Sequence, residues 1–174
     1  EIWHLKAGGY ANFGLMPEIV AHIERARAAG VDIAADTYAY PAWYNSLSAF
    51  IPPWAHEGGD AKLVERLRDP TIRERLRREL AESDKDWDNE WQSVPGPDSI
   101  LITTVLNPKL LGIQGQSLAA IATARGTAPM DTLFDILVED GGHAEVAVFG
   151  MDEPDVALAA IQSWVSFCND SAGT

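Results

Sequence analysis

Five side chains in this 174-residue sequence are of types that could work on a common substrate: His4, Lys6, Asp36, Tyr38 and Asp170. Each lies at or just past the expected end of a short apolar segment that reads as a strand. In a parallel sheet, polar groups at strand C-termini face the crevice where ligands bind. A histidine there can bind zinc through one ring nitrogen. An aspartate can hold a second metal, or take a proton from water and hand it to a leaving amine. A lysine can hold a carboxylate as a point charge. Each residue also has a plainer reading. A lone histidine is more often a satisfied structural residue. An aspartate before Ser-Ala-Gly is more often a turn or helix-cap acid. Lys6 by default is a solvated lysine, and Tyr38, Tyr40, Trp43 and Tyr44 would ordinarily be packing aromatics. His22 and His143 read as structural. His56, in the loop Pro53-Trp54-Ala55-His56-Glu57-Gly58-Gly59, could gate a substrate. Cys168 reads as buried and inert, because no sequence neighbour would lower its pKa.

The elements that must position these groups follow from pattern. Glu1 to Leu5 reads as a strand ending near His4, followed by a glycine-bearing loop (Gly8, Gly9, Gly14). Pro17 suits a first helical turn; Ile19, Val20, Ile23 and Ala26 follow at helical spacing, and Gly30 caps them. Val31 to Ala35 is the next strand, so a parallel βαβ unit is expected. Helices are predicted over Ala61–Leu67, Thr71–Ala81, Ser117–Arg125, Pro129–Val138 and Glu153–Ile161. Strands are predicted over Ser99–Val105, Glu145–Phe149 and Trp164–Cys168. Asp69/Arg73 and Glu74/Arg78 stand at i,i+4 as acid-before-base pairs. The simplest organisation is a parallel α/β layer at each end, with an α+β excursion between. The divisions are 1–45 for the βαβ segment, 46–144 for the insertion, and 145–174 for the return to the last strand. So long an excursion exceeds an ordinary βα loop, and suits the C-terminal face of a (β/α)8 barrel.

Composition removes several classes of partner. Lys and Arg number 13 against 26 Asp and Glu, for a net charge of -13. That balance disfavours phosphate backbones and anionic lipid, so neither nucleic acid nor membrane is expected as a partner. Eight of the basic residues lie between Asp60 and Glu90, but ten acids share that stretch, which makes a mixed-charge surface. No apolar run reaches the length of a membrane span. The single Cys168 fits a reducing compartment and a cytoplasmic location. The opening Glu1-Ile2-Trp3-His4 and the closing residues read as the interior of a larger protein.

Five segments in order resemble one family. His4-Leu5-Lys6-Ala7-Gly8-Gly9 with Asn12-Phe13-Gly14 resembles the His-x-Lys-x-x-Gly segment of the N-acyl-D-amino-acid deacylases (D-aminoacylases) of the amidohydrolase superfamily. Asp36-Thr37-Tyr38-Ala39-Tyr40 is similar to that family's Asp-x-Tyr-Pro-Tyr. Pro52 to Gly59, Asp69-Pro70 and Arg73 resemble its insertion. Phe149 to Val156 resembles the approach to its last strand, and Asn169-Asp170-Ser171 the pair that closes its barrel. The resemblance implies a partial (β/α)8 barrel, strands six to eight, with a long α+β insertion before the last strand. It implies one tight zinc and a second, weaker site. His4 would be a zinc ligand and Asp170 the general acid/base and ligand of the looser metal. Lys6 and Tyr38 would bind substrate. The reaction would cleave the amide of an N-acyl-D-amino acid to a D-amino acid and a carboxylate.

Two departures bear on these expectations. Tyr-Pro-Tyr is Tyr38-Ala39-Tyr40 here, and the small Thr-Ala-Ser-Ser stretch after it is Pro41-Ala42-Trp43-Tyr44. Tyr44 is therefore expected against the substrate, and a dipeptide or cyclic amide is an alternative substrate. The family's His-x-His on its first strand and its strand-five histidine have no counterpart here. An inactive α/β piece that needs a partner chain is the second alternative, with self-association through unpaired sheet edges.

Overall fold

The computed structural model describes residues 1–82 and 87–170. The chain forms two compact units: Glu1–Ala42 together with the segment from Gly150 onward, and Trp43–Phe149.

The first unit is α/β. Helix α1 (Met16–Ala28) has Pro17 in its first turn, Arg25 and Arg27 in its last, and buries Met16 and Ile23. Gly30 follows at φ +90, a conformation that suits a residue without a Cβ. Strand β1 (Ala35–Thr37) pairs in parallel with β5 (Val165–Phe167), with Asp36 opposite Ser166. Ile2 makes a parallel bridge to Ala35, so β1 lies between the Ile2 segment and β5. The parallel arrangement expected from the sequence is present. Helix α7 (Glu153–Ala160) leads into β5. Leu5, Met16, Ile23, Ala35, Ala159 and Trp164 form the core. Each large apolar side chain there contributes about 1.5–3 kcal/mol on burial.

The strand positions differ from the sequence reading. Ile2 alone bridges at the start, because His4 adopts φ 39 and breaks the extended run. Val31 to Ile33 lies outside the sheet: Val31 is exposed, and the Arg27 guanidinium takes the Ile33 carbonyl that a ladder would have used. The strand accordingly starts at Ala35 rather than ending there.

The second unit is α+β. Strand β2 (Trp43–Ser46), strand β3 (Ile100–Thr104) and strand β4 (Glu145–Val148) form an antiparallel sheet in the order β2-β4-β3. Its inner face presents Ile100, Ile102, Val146 and Val148, all fully buried. Helices α2 (Asp60–Arg68), α3 (Pro70–Ala81), α5 (Leu118–Arg125) and α6 (Pro129–Glu139) contribute Leu63, Leu67, Leu76, Leu80, Leu118, Ile121, Leu133 and Phe134 to one core; a short α4 (Glu90–Ser93) precedes β3. These helices fall within a residue or two of their predicted spans. Their ends are chemically marked: Asp69 accepts from Thr71 N–H, Ser117 accepts from Ala120 N–H, and Gly126 closes α5 in the left-handed region.

Three expectations are corrected in this unit. Glu145–Phe149 was expected in a parallel layer, but β4 is the central strand of an antiparallel sheet. Its partner β2 comes from the aromatic run, which the sequence did not mark as a strand. Arg73 reaches Asp135 at 2.7 Å while Asp69 serves as the N-cap of α3, and Glu74 pairs with Arg77 at 2.9 Å. A tertiary partner takes Arg73 from its weak i,i+4 pair, and an i,i+3 neighbour takes Glu74.

Candidate functional site

The residues at the strand ends of the first unit are tied together by backbone. Asp36 N–H donates to the Ile2 carbonyl at 3.0 Å, and Leu5 N–H donates to the Asp36 carbonyl at 2.7 Å. Between them, His4 N–H donates to Asp36 Oδ1 at 2.6 Å. Thr37 Oγ1 donates to the Leu5 carbonyl at 3.0 Å, and Cys168 N–H donates to the Thr37 carbonyl at 2.9 Å. The three chain segments that end in His4, Tyr38 and Asp170 are thereby held as one set.

His4 and Asp170 are the two non-glycine residues with left-handed φ among the described residues, at 39° and 52°. Such conformations cost of order 1–3 kcal/mol and persist where surrounding structure enforces them. Lys6 Nζ lies 2.6 Å from His4 Nδ1 and donates to the His4 carbonyl at 3.0 Å. As an ammonium, Lys6 donates to Nδ1, which leaves Nε2 as the outer ring nitrogen. Lys6 also sits 5.2 Å from the centroid of the Tyr38 ring.

Tyr38 is 1% exposed and its hydroxyl is buried without a hydrogen-bond partner among the described residues. Its ring stacks on Tyr40 at 4.5 Å between centroids, and Tyr40 Oη donates to the Asn169 carbonyl at 2.8 Å. Burial, and then the negative charge of Asp170, push the Tyr38 phenol well above its ordinary range, so it is a hydrogen-bond donor at neutral pH. Burial pushes Lys6 below its ordinary value, opposed chiefly by Asp170 and then by Cys168 and Asp36. The Asp170 carboxylate thus acts electrostatically on Lys6, Tyr38 and Tyr40 together. The His4 N–H and the Cys168 thiol hold Asp36 below the usual carboxylate range. Burial, followed by the bond to Asp36, pushes Cys168 up, which keeps it a thiol.

Of the five residues to which the resemblance or its departures give a role, His4, Lys6, Tyr38 and Asp170 belong to this set. Tyr44 lies on β2 of the second unit, half-exposed, and its hydroxyl donates to the Glu145 carboxylate. His56 bonds the Ile51 carbonyl through Nε2 at 3.1 Å and closes its own loop. Ser171, part of the closing motif, lies outside the described residues. The resemblance assigns no role to Asp36, which the sequence picks out by type, or to Tyr40, which it reads as packing. Their strand-end positions two and four residues from Tyr38 and Asp36 were the available signal. A cleft of about 230 Å³ in the second unit, lined by Trp91, Gln92, Val94, Pro95, Gly96 and Pro97, holds no titratable group.

An imidazole and a carboxylate are suitable donors for zinc, but a catalytic site needs about three protein ligands. Among the described residues, no group of three His, Cys, Asp or Glu side chains could hold a metal. The donors present fit in kind and fall short in number.

No family model and no curated protein matches the chain. Solved structures do. An N-acyl-D-glutamate deacylase from Bordetella bronchiseptica, complexed with zinc and a phosphonate mimic of the tetrahedral intermediate, is 22% identical, with TM-score 0.57. The match covers 95% of this chain and 25% of that one. A D-aminoacylase with a binuclear metal centre is 25% identical with TM-score 0.56, over 95% of this chain and 24% of that one. A D-aminoacylase that defines a subset of the amidohydrolases is 25% identical with TM-score 0.54, over the same shares. The chain spans about a quarter of the length of the solved structures it matches. The likeness drawn from motifs is therefore met in three dimensions: the similar structures are N-acyl-D-amino-acid deacylases, metal-dependent amidohydrolases.

Proposed function

We propose that this chain forms part of a metal-dependent hydrolase that cleaves N-acyl-D-amino acids to a D-amino acid and a carboxylate. The observation that carries the reading is the pair of strained strand ends: the two left-handed non-glycine residues, His4 and Asp170, are the residues that motif order assigns to the chemistry. In barrel terms the Ile2 segment, β1 and β5 would be strands six, seven and eight, and the second unit would be the insertion before strand eight.

His4 would contribute one zinc ligand and Asp170 one to a looser second site, with the remaining donors outside this chain. When bound, zinc supplies polarisation of the acyl carbonyl. The chain's own residues have separate tasks. Lys6 meets the substrate carboxylate as a point charge. The unpartnered Tyr38 hydroxyl donates a hydrogen bond to the same group. Asp170 takes a proton from the attacking water as its oxygen bonds to the acyl carbon. Asp170 returns that proton to the nitrogen as the C–N bond breaks. The lone Cys168 supports a cytoplasmic location, and the short parallel sheet is a place for self-association.

Full-length protein, given zinc, should hydrolyse N-acetyl-D-amino acids in an amine-release assay. If no acyl-amino acid or dipeptide of either hand is cleaved, the reading is wrong. A second reading keeps the reaction and changes the substrate toward dipeptides or cyclic amides. Its support is Tyr44, which stands where the family has small hydroxyl residues and whose own hydroxyl is committed to Glu145. A third reading is an inactive α/β piece that needs a partner chain, supported by the short donor set. Stoichiometric, tightly held zinc in the 174-residue chain alone would rule it out.

A further inference from the structure

Asp36 has no task in the proposed reaction, yet it makes more ties to the site than any residue that does. Its backbone N–H bonds Ile2 and its carbonyl bonds Leu5, on either side of His4. Its carboxylate accepts the His4 N–H at 2.6 Å, a short charge-assisted bond. The Cys168 thiol, two residues before Asp170, acts on the same carboxylate and helps hold it below the usual range. One side chain therefore lies between the two strained positions of the unit.

The geometry of the His4 turn explains why such a group is needed. At the φ 39 turn Leu5 N–H takes the Asp36 carbonyl, which leaves the His4 N–H outside the ladder that Ile2 and Leu5 make with β1. Without a partner, that N–H would be left unpaired inside a half-buried turn, and the extended conformation would be cheaper. A carboxylate on the neighbouring strand supplies the partner and makes the left-handed turn the stable one. The turn in turn decides where the imidazole stands, and Lys6 follows, because it bonds both the His4 ring and the His4 carbonyl.

We infer that Asp36 is a positioning residue, whose carboxylate fixes the left-handed turn at His4 and through it the placement of the imidazole and of Lys6. The inference deepens the proposed hydrolase, and its test has a readout that does not depend on that activity. Three variants of the full-length protein separate the possibilities. Asp36→Asn keeps an oxygen opposite the His4 N–H, Asp36→Ala removes it, and Asp36→Ser draws it back. Amide hydrogen exchange at His4 reads the bond directly. Asp36→Ala should raise the His4 exchange rate by about tenfold or more, the equivalent of losing a hydrogen bond to a charged group. Asp36→Asn should keep most of the protection. Turnover should follow the same order: kcat falls by about a hundredfold in Asp36→Ala with KM little changed, as expected of misplacement, and is largely rescued in Asp36→Asn. Should Asp36→Ala not fold, Asp36→Ser is read in its place. Unchanged His4 exchange in folded Asp36→Ala or Asp36→Ser overturns the inference, and so does equal loss in Asp36→Asn and Asp36→Ala. If the wild type cleaves no substrate, the hydrolase reading fails, but the exchange comparison still decides the role of Asp36.

Discussion

Four arginines of the second unit end on carboxylates, whereas the lysine of the first unit ends on an imidazole. Arg73 meets Asp135, Arg77 meets Asp131 and Glu74, Arg75 meets Glu79, and Arg125 meets Glu139. Lys6 meets His4. The backbones differ in the same way. In the second unit, left-handed positions among the described residues are glycines, and α3, α4 and α5 carry side-chain caps. In the first, His4 and Asp170 hold such positions with a Cβ. The second unit places its ion pairs around one large core, and Trp87 Nε1, Glu90 Oε2, Thr103 Oγ1 and Asp140 Oδ2 lie buried there without a partner among the described residues. The first holds charged groups close together in conformations that cost energy. Backbone strain of this kind collects where a protein meets a ligand.

Four measurements sharpen or break that contrast. Asp170→Asn keeps a side chain tolerant of left-handed φ but removes the acid/base. It should lower kcat by about 10²–10⁴-fold while denaturation stays within about 0.5 kcal/mol of wild type. Full activity would remove Asp170 from the chemistry. Phe134→Ala empties a fully buried site in the second core, and should cost about 3–5 kcal/mol by urea denaturation. His4 exchange protection should survive in the folded fraction. Ser117→Ala removes the cap of α5, for a loss of about 1 kcal/mol with kcat unchanged. The smallest effect is at Glu90, whose pKa burial raises against the bonds from Trp43 and Asn45. A carboxyl raised in the folded state favours folding while protonated, below its unfolded pKa. That stability is lost as pH rises through the folded value. Wild-type stability should therefore decline through that window, and Glu90→Gln, which keeps the Asn45 contact, should remove this part of the slope. Parallel denaturation curves at acid and neutral pH decide it.

The helices of the second unit were the most legible part of the sequence. Pro129 in a first turn, Ser117 as a cap, Gly126 at an end and periodic leucines are local signals, and α5 and α6 need nothing else. The sheets were less so. Nothing in Glu145–Val148 alone says whether its partners run parallel or antiparallel, because that is decided by β2 and β3, each more than forty residues away. Nothing in Val31-Asp32-Ile33 reveals that Arg27 will take the Ile33 carbonyl and delay the strand to Ala35. The candidate site divides likewise. His4, Lys6, Tyr38 and Asp170 could be picked out by type and by motif order. The left-handed turns, the empty Tyr38 hydroxyl and the ties made by Asp36 exist only once residues separated by more than thirty positions meet.

The pairing of Trp43 with Val148 has a consequence for how the chain folds. These residues lie next to the first and last positions of the second unit, so that roughly hundred-residue unit starts and finishes on adjacent strands, about 5 Å apart. During synthesis the second unit can fold as soon as β4 emerges, before β5 exists. The two halves of the first unit are then joined by a gap of a few ångströms instead of a loose loop of about a hundred residues. That lowers the entropy of closing β1 onto β5 by roughly 3 kcal/mol. A small parallel sheet with two strained ends can therefore be completed last.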